Sequence, residues 1–303
     1  MLNKTTGKNR NKKDQFYTNN NISLICINNL LEILDINKGD LFIEPSAGDG
    51  AFSDYFKDNE YNIQAYDIEP KKEYIKKCDF LTLDNSIFNN NNKIHTIGNP
   101  PFGNQSSLAK KFIKICSEFS DSISFILPKS FRKESYQKAF PLNFHLEKEY
   151  ELESDIFTID GKSHKVPCVF QIWIKKDTNR YIEPTQMENG FKFIKKPEVQ
   201  IKDVNDEGKA IKKKNIFIEN PDFGILRAGG GKKCGRISLN WEDGIKCYQQ
   251  GWLFIKINDN YDKDKFYEEY KKIDWTDDSN VGAKSISKPV FIKGINKLLK
   301  SMD

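Results

Sequence analysis

The chain has 303 residues and a mass of 35.2 kDa, with 38 % apolar, 13 % aromatic and 30 % charged side chains, a size and composition that suit one or two folded domains and argue against long disorder. No apolar run approaches the ~20 residues needed to cross a bilayer, and the basic start from Met1 to Lys13 runs into Asp14-Gln15-Phe16 instead of an apolar signal core, so secretion and membrane spanning are set aside and a cytoplasmic protein is expected. The formal charge of +5, from 48 basic and 43 acidic residues, permits a polyanionic partner without demanding one, while six scattered cysteines with no Cys-x-x-Cys pair and three histidines argue against a bound metal or a disulfide framework.

After the basic arm, Ser23 to Leu34 carries Ile27, Leu30, Leu31 and Leu34 at helical spacing, which predicts a helix with one buried stripe. Leu41 to Ile43 reads as a short buried strand leading into Glu44 to Phe52, where small residues make a tight turn before a helix from Phe52 to Phe56. A strand from Ile63 to Tyr66 closes on Asp67, and a brief polar helix is predicted from Lys71 to Lys77, ahead of Asp79-Phe80. The strand Ile94 to Ile97 ends at Asn99-Pro100-Pro101-Phe102. A helix from Ser107 to Phe119 then places Leu108, Phe112, Ile115 and Phe119 on one face, and strands follow at Ile123 to Leu127 and Val169 to Ile174.

Strands alternating with helices over some 175 residues predict an α/β fold, a mostly parallel sheet wound on both sides, whose ligands bind at the carboxyl ends of the strands. From Lys175 to Lys214 the pattern dissolves into charged sequence with Pro184 and Pro197, read as a linker or long excursion. Beyond it, Ile216 to Ile218, Gly224 to Arg227 and Trp252 to Ile257 read as strands of a smaller α+β region that ends in a helix from Phe291 to Leu299. The expected division is therefore 1–177 and 178–303.

The first loop is a strand, then Gly48-Asp49-Gly50, then a helix, an arrangement in which glycines let backbone approach a ligand and a helix amino end offers N–H groups. Seventeen residues after Gly50, Asp67 closes the next strand, where a carboxylate can accept from the two hydroxyls of a ribose. An ordinary strand–helix turn would look the same, and a nicotinamide cofactor stays open at this point. No Gly-x-x-x-x-Gly-Lys-Ser/Thr occurs, which disfavours a nucleoside triphosphatase. Asn99-Pro100-Pro101-Phe102 narrows the choice: two prolines after a strand remove two backbone donors and fix the chain, so the Asn99 amide oxygen and the Pro100 carbonyl can converge on a planar –NH2 group, with Phe102 as a stacking face.

In these motifs and their order the chain resembles the S-adenosylmethionine-dependent N6-adenine methyltransferases, over a little more than half its length, to about Lys176. Asp14-Gln15-Phe16-Tyr17-Thr18 looks like the segment that precedes the cofactor loop, Glu44 to Phe52 like that loop, and Asn99 to Phe102 like the catalytic tetrapeptide. Leu127-Pro128-Lys129-Ser130-Phe131 looks like the strand end after it. The sequence departs from the pattern at Asn19, where the family often has proline. The resemblance implies a Rossmann-like methyltransferase domain with a terminal antiparallel strand. It implies S-adenosylmethionine as cofactor, held by Phe16, Tyr17, Thr18, Glu44, Ser46, Ala47, Gly48, Asp49, Gly50, Asp67 as the ribose carboxylate, Asp79 and Phe80 as the adenine pair, and Asn99. Catalysis would fall to Asn99, Pro100, Pro101 and Phe102 acting on a flipped adenine.

Only 55 residues separate Glu44 from Asn99, all consumed by the named elements, so target recognition must come from the C-terminal region, the order that the family calls gamma. Two basic loops are candidates there: Gly229 to Arg236, with Lys232, Lys233 and Arg236, and Gly282 to Lys288, with Lys284. A hairpin turn or a solvated loop would account for them as well. The expected partner is DNA, with RNA the alternative, and the wording of Glu44-Pro45-Ser46 resembles restriction–modification enzymes, which would supply a cognate endonuclease. The same tetrapeptide serves protein glutamine methyltransferases, against which Phe102 in place of Tyr and the basic C-terminal region weigh. His95, His145 and His164 are read as surface or core residues, and Trp241, Trp252 and Trp275 as core.

Overall fold

The structure is a computed structural model that describes residues 17–88, 92–152, 157–159, 162–164, 166–195, 198–204, 210–216, 219–228, 234–239, 251–275 and 285–303, with backbone alone at Tyr17, 157–159, 162–164, 198–204 and 210–216. The chain divides into two units, Met1–Ile182 and Glu183–Asp303. Among the described residues no helix is long and apolar enough to cross a membrane.

The first unit opens on β1 (Tyr17–Thr18) and α1 (Asn20–Ile33). Asn19 is the N-cap of α1: its side chain accepts from the Asn21 N–H at 2.9 Å, so the residue that departs from the family pattern has a local use. The helix buries Ser23, Cys26, Ile27 and Leu30, on the expected stripe, but begins three residues early because the cap lies upstream of the apolar repeat. There follow β2 (Leu41–Glu44), α2 (Ser53–Asp58), β3 (Asn62–Asp67), β4 (Lys76–Lys77), β5 (Ile94–Gly98), α3 (Ser107–Phe119), β6 (Ser122–Pro128), α4 (Glu134–Gln137), β7 (Phe144–Glu151), β8 (Phe157–Ile159), β9 (Lys162–His164) and β10 (Cys168–Lys175). The main sheet runs β4-β3-β2-β5-β6-β10-β7. Neighbours from β4 to β6 are parallel, and β10 lies antiparallel to both β6 and β7. This is the expected Rossmann-like methyltransferase fold.

Burial on both faces explains why β2 and β6 read as continuous apolar runs: every residue of each is buried. The Phe42 and Phe56 rings stack at 4.1 Å, joining β2 to α2, and Phe140 stacks on Trp173 at 4.0 Å beside β10. On α3 the fully buried residues are Ala109, Phe112, Ile113 and Cys116, so the stripe is turned from the expected one, with Leu108, Ile115 and Phe119 only partly covered. Small Ala109 and Cys116 allow the close approach that the larger residues flank. The predicted helix from Lys71 to Lys77 is absent. Residues 71–75 form bends and a turn, closed by the Ile75 N–H on Lys72 O at 3.2 Å, and long-range bonds hold them: the Lys71 N–H donates to Gly48 O at 3.0 Å, Tyr74 donates to Asp54, and Lys76–Lys77 adds the edge strand β4.

The first unit runs past its last strand because Arg180 is built into it. The guanidinium donates to the carbonyls of Phe144 at 2.7 Å, Phe140 at 2.9 Å and Gln137 at 3.1 Å, also to that of Pro141, and lies over the Trp173 ring at 5.3 Å.

The second unit holds an antiparallel sheet ordered β11-β16-β14-β15 from β11 (Phe191–Ile194), β14 (Phe223–Leu226), β15 (Ile237–Ser238) and β16 (Trp252–Ile257), and a separate pair, β12 (Glu198–Val204) with β13 (Ala210–Ile216). Helices α5 (Lys263–Lys271) and α6 (Lys288–Lys300) cover the core with Phe266, Tyr270, Phe291, Ile295 and Leu299. The stretch read as a linker therefore contains three strands, β11, β12 and β13. β-Branched and aromatic residues recur among the charges, as in Phe191-Lys192-Phe193-Ile194 and Val199-Gln200-Ile201, and a count of charge alone conceals them. The strand read at Ile216 to Ile218 starts on the last residue of β13, and Phe217 and Ile218 lie outside the described residues.

His95, on β5, is fully buried, with Nδ1 at 2.8 Å from Ser122 Oγ and Nε2 at 3.4 Å from Asp40 Oδ2. Burial lowers its pKa from the ordinary value, against the pull of Asp40. The folded state thus favours the neutral ring, and the unfolded chain takes up a proton first as pH falls below ~6.5. Stability from this residue is present above that value and lost below it. The thermal midpoint of the parent minus that of His95→Gln is expected to fall from about pH 7.5 to about pH 5.5, measured in matched buffers.

Candidate functional site

Five segments meet at the carboxyl ends of β2, β3 and β5 and enclose a cavity of about 270 Å³. Thr18 lines it from β1, residues 44–49 with Ala51 from the loop after β2, Asp67, Ile68 and Glu69 from the end of β3, Cys78 to Leu81 from beyond β4, and Asn99 to Phe102 from the end of β5. Leu108 and Phe112 of α3 complete the wall. The structure thus brings together Thr18, Glu44, Ser46, Ala47, Gly48, Asp49, Asp67, Asp79, Phe80, Asn99, Pro100, Pro101 and Phe102.

The loop after β2 is fixed by its own polar groups. Glu44 is 2 % exposed, and its Oε2 accepts from the Ser53 N–H at 2.8 Å, at the start of α2. Burial pushes the Glu44 carboxyl up to about 8, although the bonds from Ser53 favour the charged form; Asp49 and Asp54 add to the rise. The Gly48 N–H donates to Asp67 Oδ2 at 2.8 Å, and the Glu69 N–H to Oδ1 at 2.7 Å. Gly50 is not on the cavity wall. It turns the chain at φ 86°, and a Cβ there would lie 2.5 Å from the Tyr74 hydroxyl, itself bonded to Ser53 and Asp54. Two of the donors expected to face a ligand are taken within the chain: the Gly48 N–H by Asp67, and the Ser53 N–H at the start of α2 by Glu44.

The tetrapeptide is held from three sides. Asn99 Nδ2 donates to Thr18 Oγ1 at 3.1 Å across 81 residues, and Ser46 Oγ donates to the Asn99 carbonyl at 3.3 Å. The Phe102 carbonyl accepts from the Leu108 N–H at 3.1 Å, which ties the far end to α3. Between them Gly103, Gln105 and Ser106 have φ of 69°, 50° and 59°, a left-handed stretch in which two non-glycine residues carry strain beside the cavity.

Asp79 accepts from the Leu81 N–H at 3.0 Å and caps the turn after it, while Phe80 is buried against Phe112 at 6.2 Å and Phe88 at 5.8 Å. The pair therefore divides its work: Asp79 offers a carboxylate at the rim, and Phe80 anchors the wall. Of the other expected residues, Tyr17 is described by backbone alone, and Phe16, Lys232, Lys233 and Lys284 lie outside the described residues; Arg236 is exposed on the second unit. Sequence reasoning missed Ile68, Glu69, Leu81, Leu108 and Phe112 as wall residues. Apolar side chains next to strand ends carry no signal that separates wall from core.

The wall's charge says what can bind. It contains Asp49, Asp67, Glu69 and Asp79, beside Glu44 whose raised pKa favours the neutral acid, and among the described lining residues no Lys, Arg or His. A pyrophosphate would meet carboxylates with no cation to offset them, which disfavours a dinucleotide. S-adenosylmethionine fits: it carries a sulfonium and an ammonium against one carboxylate, its ribose hydroxyls can donate to Asp67, its adenine amine to Asp79, and Ile68 and Phe80 supply apolar wall.

No protein-family model and no curated protein matches the chain. Among solved structures, it is similar to a candidate RNA methyltransferase from Pyrococcus horikoshii, with 19 % identity over 55 % of this chain and 90 % of that one and a TM-score of 0.41. It is similar also to a candidate class I S-adenosylmethionine-dependent methyltransferase from Listeria monocytogenes, with 14 % identity, 59 % and 66 % coverage and a TM-score of 0.42. A third is an S-adenosylmethionine-dependent methyltransferase from Anabaena variabilis, with 11 % identity, 53 % and 87 % coverage and a TM-score of 0.37. At these values the chemistry of the site rests on its own residues.

Glu44 yields a pH test. An acid whose folded pKa is raised contributes stability that is whole below its ordinary value near ~4.3 and is gone once pH passes about 8. Glu44→Gln mimics the protonated acid and does not titrate. The thermal midpoint of the variant minus that of the parent is expected to grow from about pH 5 to about pH 8 and to level off above, measured by calorimetry in matched buffers.

Proposed function

We propose that this chain transfers a methyl group from S-adenosylmethionine to the N6 amine of adenine in DNA. The observation that carries the reading is the placement of Asn99-Pro100-Pro101-Phe102 on the wall of the same cavity as Asp67 and Asp79, with the Asn99 amide nitrogen engaged by Thr18.

When bound, S-adenosylmethionine supplies an electrophilic methyl on its sulfonium. The chain's task is the acceptor. An adenine N6 amine is a poor nucleophile because its lone pair is delocalised into the ring. The Asn99 amide oxygen and the Pro100 carbonyl accept hydrogen bonds from its two N–H groups, favour a pyramidal nitrogen and stabilise the positive charge that develops there. Pro101 and the bond from the Phe102 carbonyl to α3 keep those acceptors rigid, so positioning supplies much of the rate. Phe102, 8 % exposed, offers a face to a flipped base, and Leu108 and Phe112 close the wall behind it. The C–N bond forms as the methyl–sulfur bond breaks, and the methylated N6 then loses one proton to water, so no side chain is required as a general base in this scheme; His95 is committed to Ser122 and Asp40.

DNA rather than RNA rests on the resemblance to restriction–modification enzymes, and the second unit is the proposed recognition side, with Lys232, Lys233, Arg236 and Lys284 as phosphate contacts. A partner endonuclease belongs to the same proposal.

The test is methylation of unmodified genomic DNA and total RNA side by side, followed by nucleoside mass spectrometry. N6-methyladenine in DNA is expected, and exclusive appearance in RNA would reassign the substrate. Asn99→Ala is expected to lose at least about a hundredfold in turnover, ~2.7 kcal/mol of barrier, while calorimetry shows cofactor affinity retained. Asp67→Ala is expected to weaken cofactor binding by more than the ~1.5–3 kcal/mol of a charged hydrogen bond, because it also releases Gly48 and Glu69.

A further inference from the structure

We propose that Thr18 is a positioning residue: by accepting from the Asn99 amide nitrogen, it presents the amide oxygen to the amine that is methylated. The inference rests on the reading of the site as an adenine N6-methyltransferase centre and assigns Thr18 a task apart from holding the cofactor.

Geometry comes first. Asn99 Nδ2 lies 3.1 Å from Thr18 Oγ1, and Thr18 is 7 % exposed on the cavity wall. An asparagine amide has two ends of opposite hydrogen-bonding character, and only the oxygen can accept a proton from an exocyclic amine. In the structure the nitrogen end is the one bonded to Thr18, so the hydroxyl supplies the acceptor that the nitrogen needs when the oxygen end is turned to the amine. Rotated by half a turn, the amide would set its own N–H groups against those of the amine, donor against donor.

Thr18 is suited to that task because it is itself fixed. Its backbone pairs with Phe157 of β8, and the next residue, Asn19, caps α1. A β-branched side chain has few χ1 rotamers, so a fixed backbone sets the hydroxyl's position within narrow limits. From the other side Ser46 holds the Asn99 carbonyl at 3.3 Å. Asn99 is thus held at its backbone by the loop after β2 and at its side-chain amide by Thr18 of β1, two segments that approach it from different parts of the chain.

The experiment compares the full chain with Thr18→Val, which keeps the shape and removes the acceptor, and Thr18→Ser, which keeps the hydroxyl. Three readouts are taken: kcat and KM on unmodified genomic DNA, the Kd of S-adenosylmethionine by calorimetry, and the side-chain amide resonances of Asn99 on ¹⁵N labelling, assigned by their loss in Asn99→Asp. The expected result is a fall in kcat of at least about tenfold for Thr18→Val, ~1.4 kcal/mol of barrier. Both KM and the cofactor Kd stay within about threefold of the parent, the Asn99 amide signals shift and lose exchange protection, and Thr18→Ser restores turnover and signals. A Thr18→Val enzyme within about threefold of the parent's kcat overturns the proposal. So does a variant whose whole defect lies in cofactor Kd, which would make Thr18 a cofactor residue alone. A parent that methylates neither DNA nor RNA overturns the reading on which the proposal rests and Thr18's catalytic role with it. That failure is recognised by the inactive parent, whereas the first two occur with an active one.

Discussion

The buried carboxyl of Glu44 is the constraint on which the rest of the site depends. β2 ends at this residue, and its Oε2 closes on the Ser53 N–H nine residues later, so the loop between is tied at its base whatever the cavity contains. Burial outweighs those bonds and keeps the proton on, since an unpaired carboxylate in such a place would cost several kcal/mol. The same side chain reaches the neighbouring strand: a Cβ on Gly98 would lie 3.4 Å from Glu44 Cγ, and Gly98 is the residue before Asn99. One buried group thereby sets both the loop that walls the cavity on one side and the point at which the tetrapeptide leaves β5.

From that anchor the remaining contacts follow as closures of one loop on another. Asp67 spends one oxygen on Gly48 and the other on Glu69, so the loop after β2 and the turn after β3 hold each other. Each carboxylate oxygen has a second lone pair, and that is what a ribose hydroxyl can use. Ser46 and Thr18 then bind the two ends of Asn99. The bonds are few, and all but the one from Glu69 to Asp67 span from 9 to 81 residues of sequence, which makes the cavity a property of the folded sheet rather than of any one motif.

This is also why the sequence shows part of the site plainly and part not at all. Strand ends flagged by Gly48, Asp67, Asp79 and Asn99 stand out because turns and polar residues interrupt apolar runs, and the alternation of strands and helices gives the sheet. The contact between Thr18 and Asn99 leaves no mark in spacing, because it depends on β1 pairing with β8 in a connection late in the unit. The segment Lys71 to Lys77 misleads for the opposite reason. Its composition favours a helix, and the bonds from Lys71 to Gly48 and from Tyr74 to Asp54 override that local preference. Charge misleads likewise in Lys195 to Lys214, where the seven-residue strand β12 pairs with β13 at six positions.

The second unit bears on the charge argument in a way that its total does not show. Glu219 pairs with both Lys192 and Lys256, Asp222 with Lys263, Glu188 with Lys288 and Glu183 with Lys293, so many of its lysines already have carboxylate partners. Exposed pairs of this kind contribute little, because solvent and salt screen them and two long side chains must be ordered to make them. A polyanion can exchange such a carboxylate for a phosphate at small cost, and it gains the counterions released from its own backbone. On the proposed reading, then, a lysine paired within this unit is not lost to recognition. The two units differ in kind: on the cavity wall the carboxylates of Asp67 and Asp79 are bonded to backbone N–H groups, whereas the lysines of the second unit sit beside exposed carboxylate partners that a phosphate can replace.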